Sequence, residues 1–559
     1  MPNIYRIHPA SGIARVGDSP DGYFMGPEAL GVPPSLNPPD TSHDPNTGHK
    51  LPDKDDRGRI KRQGARFRIY EYTLDNAGAT TQVREITAND AQIEWEVHLA
   101  NRKAAAPMFQ APDHPRNFAE IEDKEERSKK LVIDAGPQKI SGVGQDMKPL
   151  RGRFMDAIDV PLGDLLTDSA GRLIVLGGFG KSLSPSDNPL VHFADNDGWC
   201  DDTSDGPVRA TIRLNGSTQA VEADPAWVIV APPDFAPPIE NVVTLYDVVY
   251  DMMAEFPSLA PSLAISDETK VSFTSDIYPI LRRVSNMHWV STFAARGHSP
   301  GPDPEHPPLG DFISDIRTLS SPKGRDRRGR IFVRLRVPES LRKKRGDESG
   351  PHGNMPKLPT GDGNPDPASG LSLTEQQYLR MERWALGGFE NDWPKDGKPP
   401  APLPLDELPD MDRPHALDRA ALEACVGGGF FPGIEVGRIM LDPATYDENR
   451  PFRIRNDAQL LPPGTLTARM AVPWQADFRL CRFWEDPKDL DNLPDRDWWP
   501  GQRPSQVFRG QGQEQVEWAP PDWGGLDWVD NWSKLGFVVE KMSKGKVVYV
   551  EDERDSHLQ

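Results

Sequence analysis

The sequence predicts an α+β fold that is rich in β structure, with antiparallel sheets, a helical middle part and long loop insertions. Short alternating apolar and polar runs, separated by turn clusters, dominate the first 240 residues, a pattern typical of antiparallel strands rather than βαβ units. Amphipathic helical periodicity follows. At 559 residues the chain is too long for one ordinary core. We predict three parts: residues 1–240, rich in strands; residues 241–420, helical with polar insertions; and residues 421–559.

The strand predictions rest on alternation between apolar and polar side chains. In Ala65–Tyr72, apolar Phe67 and Ile69 alternate with Arg66 and Arg68, as expected for a strand with one buried face. By the same criterion we predict strands within Tyr5–Val16, Gln92–Asn101, Arg172–Leu176, Val208–Leu214 and Ala220–Val230.

Three stretches have helical periodicity, and three others are typical of long loops. The helices are predicted at Val242–Glu255, Thr269–Met287 and Leu373–Leu386. Ser372 or Thr374 would cap the last of these, and Gly387–Gly388 would end it. Pro, Gly, Asp and Lys predict loops at Gly297–Pro308, at Ser321–Arg330 continuing to Arg342–Gly370, and at Trp393–Pro414.

Composition and charge exclude several classes of protein. With 65 Lys and Arg against 85 Asp and Glu, the net charge of −20 argues against a nucleic-acid partner. No apolar run approaches the length of a membrane span, so we expect no membrane partner. Residues 1–15 lack the apolar centre of a signal peptide, which favours a cytoplasmic location unless export proceeds without a Sec-type signal.

The cysteines and histidines give no metal or disulfide pattern. Cys200, Cys425 and Cys481 are the three cysteines, too few for a disulfide framework and without a CxxC pair for zinc. The 12 histidines form no HxxxH or HxxE pair. A GxSxG elbow is absent as well, so serine hydrolysis has no support.

Two other segments resemble binding sites, but each also has an ordinary structural explanation. Leu176–Ser182 (LGGFGKS) ends like a phosphate-binding loop, but Val175 stands where that motif needs glycine, and a glycine-rich turn after a strand is favoured. Asp195–Asp205 holds five aspartates but lacks the ligand pattern of an EF-hand. We favour a hairpin connection over a metal site there, because Asp and Asn also favour turns.

The region Met470–Pro504 groups an acid, a thiol and a tryptophan pair. Asp477 and Cys481 are four residues apart and would share one face of a helical turn across Gln475–Phe483. Trp498 and Trp499 follow after a turn-rich segment that lets them fold back over the thiol. The alternative is a buried free cysteine beside a core tryptophan, with Asp477 as a helix cap.

Long ordered matches along the chain resemble the cysteine tryptophylquinone amino-acid oxidases, the group of lysine ε-oxidase and glycine oxidase. The resemblance covers most of the chain and is specific. Its segments are RIHPASGIARVGDS (Arg6–Ser19), NDGWCDDTSDGPV (Asn196–Val208), WVIVAPPDFAP (Trp227–Pro237), ACVGGGFFPGIE (Ala424–Glu435), PWQADFRLC (Pro473–Cys481) and WWPGQRP (Trp498–Pro504).

The resemblance implies roles for four residues. Cys481 matches the cysteine that forms the thioether, and Trp499 or Trp498 matches the tryptophan that becomes the quinone of the cysteine tryptophylquinone cofactor. Asp477 matches the acid required for cofactor formation beside the quinone. The chain is shorter than the founding oxidases and has a short segment between the cysteine and the tryptophans. Cys200 also stands where we expect a larger residue, which leaves the substrate open.

The resemblance also implies a reaction and partners. A small amino-acid or amine substrate would be oxidised by O2 to an aldehyde or oxo acid, with release of ammonia and hydrogen peroxide. Asp477 would act as base on the substrate carbon, and Trp474, Phe478 and Trp484 would keep water from it. A flavin-dependent maturation protein and a homodimer or homotetramer are implied as well. The alternatives are the same chemistry on a residue within a peptide, and an unmodified relative that serves as a binding protein.

Overall fold

A computed structural model describes residues 3–558 with internal gaps. The residues that it does not describe are 21, 33–34, 38–52, 109–110, 120, 257–262, 264, 267–268, 292–293, 296–315, 348–352, 354, 357–371, 428–435, 449, 481–500, 510–514 and 544–545. The predicted loop Gly297–Pro308 therefore lies outside the described residues. Among the described helices, none is long and apolar enough to cross a membrane.

Strands form most of the first part of the chain. They are β1 (Ile4–His8), β2 (Ser11–Arg15), β3 (Tyr23–Met25), β4 (Ser35–Asn37), β5 (Arg62–Leu74), β6 (Thr80–Ile86), β7 (Ala91–Val97), β8 (Ala100–Asn101), β9 (Ile133–Asp134), β10 (Gln138–Ser141), β11 (Lys148–Phe154), β12 (Ile158–Thr167), β13 (Leu173–Gly177), β14 (Ser182–Leu183), β15 (Cys200–Asp201), β16 (Ser204–Leu214), β17 (Val221–Glu222) and β18 (Ala226–Ala231). Short pairs follow: β19 (Val271–Ser272) with β20 (Phe389–Glu390), β21 (Gln506–Phe508) with β22 (Gln515–Glu517), and β23 (Phe537–Ser543) with β24 (Lys546–Asp552).

Sixteen of these strands share one large sheet, whose central order is β10-β7-β16-β18-β2-β5-β13-β12-β11. Most neighbours are antiparallel; β18 with β2 and β3 with β5 are parallel. Strand β5 is long enough to join two surfaces, because its first half pairs with β2 and β13 and its second half with β1 and β6. The predicted α+β fold with antiparallel sheets is confirmed, and every predicted strand segment contains an observed strand.

Apart from α1, which lies between β8 and β9, the helices follow the strands of the large sheet in the sequence. They are α1 (Lys124–Lys130), α2 (Leu245–Glu255), α3 (Tyr278–Asn286), α4 (Ile316–Leu319), α5 (Arg325–Phe332), α6 (Glu339–Arg345), α7 (Glu375–Leu386), α8 (Arg413–Glu423), α9 (Gly437–Met440), α10 (Trp474–Leu480) and α11 (Gly525–Asn531). A π-helical turn, Phe273–Ile277, leads into α3. Capping boxes at Thr244 and Thr374 fix the starts of α2 and α7, because each cap satisfies amides that have no partner within the helix.

The core lies on both faces of the central strands. In β18, Val228 and Val230 belong to the main cluster, whereas Trp227 and Ile229 belong to a second cluster shared with α2 and α8. Because both faces are covered, this strand is a continuous apolar run. The boundaries predicted for the three parts of the chain stay predictions.

One loop prediction is wrong. The stretch from Ser321 to Arg345 contains α5 and α6 rather than a continuous loop. Arginine-rich α5 lacks an apolar stripe, which is why periodicity missed it. It is held instead by buried Arg328, whose Nε donates to Trp384 O (2.9 Å) and whose guanidinium stacks over the Phe389 ring at 5.0 Å. Trp393–Pro414 is largely irregular, as predicted, with one 3-10 turn at Leu405–Glu407.

A candidate active site built around helix α10

Helix α10 carries the first of the four predicted site residues. Asp477 lies in its first turn and is 1% exposed. The helix ends at Leu480, so Cys481 follows directly in the chain. Cys481, Trp498 and Trp499 lie outside the described residues. The structure therefore places the predicted acid but leaves its predicted neighbours as a hypothesis.

A buried ion pair holds the beginning of α10. Lys103 Nζ donates to Asp201 Oδ2 (2.8 Å) and to the carbonyl of Ala471 (2.9 Å). The same Asp201 oxygen accepts from the amide of Trp474 (3.0 Å), the first residue of the helix. Both charged side chains are 0% exposed. A carboxylate at this end of a helix satisfies a free amide and complements the helix dipole.

A second ion pair supports the chain that leads into α10. Arg116 Nε donates to Asp195 Oδ1 (2.7 Å), and its Nη1 donates to the carbonyls of Ala468 (3.2 Å) and Met470 (3.1 Å). Asn196 adds a bond from Nδ2 to Val472 O (3.0 Å). We call Lys103, Arg116, Asp195 and Asp201 the ionic frame. Sequence reasoning missed its two cations, since nothing local distinguishes them from other Lys and Arg.

The acidic segment Asp195–Asp205 is thus a support for α10. Its aspartates accept hydrogen bonds from distant parts of the protein; besides the frame, Asp205 accepts from Trp227 Nε1 (2.9 Å) and the amide of Thr467 (2.7 Å). The segment is not itself a hairpin connection: it contains β15, which pairs antiparallel with β14, and the start of β16. No group of three or more His, Cys, Asp or Glu suited to a metal ion occurs among the residues that the structure covers.

The glycine-rich segment Leu176–Ser182 supports the side of α10. Gln475 Nε2 donates to the carbonyl of Gly180 (3.1 Å), and Ser182 Oγ donates to Gln475 Oε1 (2.6 Å). Gly180 has φ +69°, and a Cβ there would lie 2.1 Å from the Trp532 ring. A glycine is required because a side chain would be strained and would overlap the indole. The segment follows strand β13, as predicted, and forms an irregular connection to β14.

Aromatic rings pack around helix α10, and an arginine binds a carbonyl near its C-terminal end. Trp474 meets Phe478 at 5.1 Å and Trp532 at 5.2 Å between ring centroids, both edge to face. Arg503 Nε donates to Phe478 O (2.5 Å), and its guanidinium lies 5.5 Å from the Trp518 ring. This surrounding excludes water from the helix and satisfies a carbonyl at its C-terminal end.

Orphaned polar atoms flank the segment 481–500. Trp474 Nε1, Asn241 Oδ1 and Gln502 Oε1 are buried and have no hydrogen-bond partner among the described residues. Asn241 lies against Gly501, where a Cβ would be 2.7 Å from the amide oxygen. Such atoms are rare in folded proteins, because each costs about 1–3 kcal/mol. Two of these atoms are acceptors and Trp474 Nε1 is a donor, so an indole quinone, which has an N–H and carbonyl oxygens, can meet both kinds, whereas a plain indole offers only its N–H.

The two described cysteines are not reactive thiols. Cys200 and Cys425 are free and buried. Burial raises the pKa of Cys425 to about 11 and moves the pKa of Cys200 well above its usual range, with Asp201 and Asp202 adding to the second shift. Since the thiolate is the reactive form, neither cysteine replaces Cys481 as a candidate for cross-linking.

Two family models of known proteins together match most of the chain. The family model described as L-lysine epsilon oxidase N-terminal matches residues 8–230, and the model of the L-lysine epsilon oxidase C-terminal domain matches residues 350–499. An L-lysine 6-oxidase from Marinomonas mediterranea is 26% identical over an alignment of 698 positions, which covers 99% of this chain and 90% of the relative.

Solved structures of the Marinomonas mediterranea enzyme share the fold. The Schiff base intermediate of that L-Lys ε-oxidase with L-Lys aligns with a TM-score of 0.71 and 23% identity over 99% of this chain and 95% of its own. A second crystal structure of the L-Lys ε-oxidase gives a TM-score of 0.71 at 24% identity, with the same coverage of both chains.

Proposed function

The chain belongs to the L-lysine ε-oxidase family and is an oxidoreductase that acts on amino groups, and we propose that it oxidatively deaminates a primary amine of an amino acid. In this reaction the amine loses two electrons and two protons, one proton from its carbon and one from its nitrogen, and O2 takes these up as hydrogen peroxide. Water supplies the carbonyl oxygen of the aldehyde or oxo acid, and the nitrogen leaves as ammonia. The observation that carries the proposal is the buried carboxylate of Asp477, fixed in a helix that ends one residue before Cys481.

The proposed cofactor is cysteine tryptophylquinone, formed from Cys481 and either Trp499 or Trp498. When present, the quinone supplies an electrophilic carbonyl for the amine and an acceptor for its two electrons. The orphaned atoms of Asn241, Trp474 and Gln502 support a polar group at this place. Trp474 Nε1 is the donor among them and would hold an oxygen acceptor.

Asp477 is the proposed base that removes the proton from the substrate carbon. Its position depends on α10, which the ionic frame holds at the start and Arg503 holds at the end. A base held in this way is oriented before substrate arrives, which lowers the entropy lost in reaching the transition state. The aromatic rings around Trp474 and Phe478 keep bulk water away from the proton transfer.

The substrate and the partners are proposals of the same kind. We propose a free amino acid as substrate; an amine on a residue within a peptide is the alternative. Inserting two oxygen atoms into an indole requires an oxidising partner, and a separate flavin-dependent maturation protein is proposed for that step. A homodimer or homotetramer is the proposed assembly.

A peptide mass map across residues 470–509 tests the cofactor without relying on activity. In protein matured in its own host, we expect a cross-linked peptide of Cys481 with Trp499 or Trp498 that has two added oxygens and four fewer hydrogens. Protein expressed without its maturation partner should give unmodified peptides. A free Cys481 and two unmodified tryptophans in the matured protein would contradict the proposed cofactor.

Asp477→Asn separates the role of the base from the presence of the cofactor. General-base catalysis contributes about 10²–10⁴-fold, so peroxide release should fall by that factor. The resemblance implies two roles for Asp477, proton removal and cofactor formation. A variant that retains the cross-linked peptide has lost proton transfer, whereas a variant without it has lost cofactor formation. Cys481→Ala should abolish both the cross-link and the activity. Screening free amino acids against short peptides then identifies the substrate class.

A further inference from the structure

The carboxyl group of Asp202 has a different environment from the two aspartates of the ionic frame. Asp195 and Asp201 each pair with a cation, at 2.7 and 2.8 Å. Asp202 is 0% exposed, and its Oδ1 has no hydrogen-bond partner among the described residues. Burial raises the pKa of Asp202 to about 7, and the charge of Asp201 adds to this shift, while the amides of Lys181 and Phe179 oppose it. A carboxyl group buried in this way is more typical of functional sites than of an ordinary core.

The partners of Asp202 lie in the glycine-rich segment. Its Oδ2 accepts hydrogen bonds from the amides of Phe179 (2.6 Å) and Lys181 (3.2 Å). The chain can approach this oxygen because residue 178 is glycine. A Cβ on Gly178 would lie 2.5 Å from Asp202 Oδ2 and 2.7 Å from Pro161 O. Since two backbone amides point at one oxygen, Asp202 fixes the conformation of residues 178–182, here called the glycine loop.

The glycine loop also holds helix α10. The carbonyl of Gly180 and the hydroxyl of Ser182 bind the two ends of the Gln475 amide, and Gln475 is 0% exposed. Gly180 stands between the two residues whose amides bind Asp202. The connection from Asp202 to Gln475 therefore runs through the backbone of residues 179–181, without a flexible side chain in between.

Asp201 and Asp202 restrain different movements of α10. Asp201 binds the amide of the first helical residue, which fixes the helix along its axis. The glycine loop binds the side of the helix at Gln475, which fixes its rotation about that axis. Successive residues of an α-helix are about 100° apart, so Asp477 lies about 200° around the helix from Gln475. A rotation that moves Gln475 therefore moves the carboxylate of Asp477 as well.

We infer that Asp202 is a positioning residue, which sets the rotation of α10 through the glycine loop and thereby the direction of the Asp477 carboxylate. Its effect on catalysis rests on the proposed role of Asp477 as base, whereas its effect on the helix does not. A misplacement of about 1 Å can slow a reaction by about 100-fold, because the reacting groups must match the geometry of the transition state. A residue that never contacts the substrate can therefore control the rate.

Hydrogen exchange of the full chain tests the hold on α10 without relying on activity. Asp202→Ala removes the acceptor, so the amides of the glycine loop and of α10 should exchange about tenfold faster. Asp202→Asn keeps an oxygen acceptor in an uncharged side chain of the same shape and should restore the exchange of wild type. Asp75→Ala is the matched control, because Asp75 also accepts from two backbone amides, those of Ala77 (2.8 Å) and Ala79 (2.9 Å), but in an exposed turn.

Steady-state kinetics of the matured protein test the effect on the base. Asp202→Ala should lower kcat by about 10–100-fold with little change in KM, because the base is displaced while substrate binding is kept. Asp202→Asn should restore kcat, and Asp75→Ala should leave it unchanged. Ser182→Ala removes a contact at the other end of the glycine loop, and adding it to Asp202→Ala should lower kcat little further, because both act through Gln475. The cross-linked peptide should persist in each variant, which separates a displaced base from a missing cofactor.

Three results would overturn this role of Asp202: equal exchange of α10 in Asp202→Ala and wild type, an Asp202→Asn that behaves like Asp202→Ala, or additive losses in the double variant. Thermal midpoints show whether each variant folds. If Asp202→Ala does not fold, Ser182→Ala alone should speed the exchange of α10, and a wild-type rate there would equally overturn the role. A matured wild type that releases no peroxide, together with the expected exchange in the variants, would contradict the proposed function and still support the hold of Asp202 on α10.

Discussion

The ionic frame beneath α10 and a buried cluster around His8 both join distant parts of the chain, but with different chemistry. The frame pairs Lys103 with Asp201 and Arg116 with Asp195, all at most 3% exposed. In the other cluster, His8 Nδ1 lies 2.9 Å from Asp418 Oδ1, and Arg453 Nη2 lies 3.0 Å from His8 Nε2. We call His8, Asp418, Tyr72 and Arg453 the histidine cluster.

The difference lies in which groups can change charge near neutral pH. An arginine only donates, so the contact with Arg453 requires an unprotonated His8 Nε2 and a neutral ring that donates from Nδ1 to Asp418. His192 Nδ1 lies 3.7 Å from Asp195 Oδ2 in the frame, whereas the pair of Lys103 and Asp201 has no histidine contact among the described residues and Lys103 also binds a backbone carbonyl. The Lys103–Asp201 pair should therefore respond strongly to mutation and weakly to mild acid, whereas the histidine cluster should respond to acid.

Lys103→Met tests the prediction that the ionic frame responds strongly to mutation. It leaves the Asp201 carboxylate buried without its cation, a change that costs about 3–5 kcal/mol in proteins. We expect the free energy of unfolding, measured by urea denaturation, to fall by that amount. The start of α10 should also loosen, since Asp201 binds the Trp474 amide.

A matched control removes an exposed lysine. Lys129 pairs with Glu125 across one turn of α1, and the two side chains are 71% and 78% exposed. Lys129→Met should change the unfolding free energy by no more than about 0.5 kcal/mol. Similar losses for the two variants would contradict a special role for the frame. Lys103→Met combined with Asp201→Asn should cost less than the sum of the single changes, because it removes the buried unpaired charge.

Gly180→Ala tests the packing contact on the side of α10. The added Cβ would lie 2.1 Å from the Trp532 ring, at a φ of +69°. Gly216 has a similar φ of +81° with nothing within 4 Å, so Gly216→Ala reports the backbone strain alone, about 1 kcal/mol. We expect Gly180→Ala to destabilise the protein by about 1–3 kcal/mol more than that. Equal urea midpoints would show that Trp532 moves aside without penalty.

The sequence predicts the strands better than it predicts the residues that hold helix α10 in place. Alternation located β5 and β16 because apolar side chains on one face of each meet the main core, a property that neighbouring residues display. The opposite face of β5 is buried as well, since Arg68 and Tyr70 are at most 3% exposed. It missed α5, whose stability comes from Arg328 reaching Trp384 rather than from an apolar stripe. Helix patterns therefore fail where one buried cation replaces many apolar contacts.

The ionic frame could not be predicted because its pairs are distant in sequence. Asp201 and Lys103 are 98 residues apart, and Arg116 and Asp195 are 79 apart. The aspartates and glycines of Asp195–Asp205 and Leu176–Ser182 are unusual clusters that resemble cation and phosphate sites, although the sequence favours turns at both. Their partners, which lie elsewhere in the chain, show that both clusters hold the helix of Asp477.

His8→Gln tests the prediction that the histidine cluster loses stability in mild acid. Burial lowers the pKa of His8 below its ordinary value of 6.5, and the charge of Arg453 adds to this, while Asp418 opposes it. Because the folded pKa is the lower one, the unfolded chain binds the proton first as pH falls. Stability is then fully present above about pH 6.5 and is lost as pH falls toward the folded pKa.

The slope that His8 contributes to the unfolding free energy is at most that of one proton, about 1.4 kcal/mol per pH unit. Glutamine keeps a donor and an acceptor but does not titrate, so His8→Gln should reduce the fall in unfolding free energy between pH 7 and pH 5. His98→Gln is the control, because His98 is a partly exposed histidine whose Nε2 lies 2.7 Å from Asp134 Oδ1. An unchanged pH slope in His8→Gln would mean that the buried ring takes up its proton without unfolding, and that both clusters are equally insensitive to mild acid.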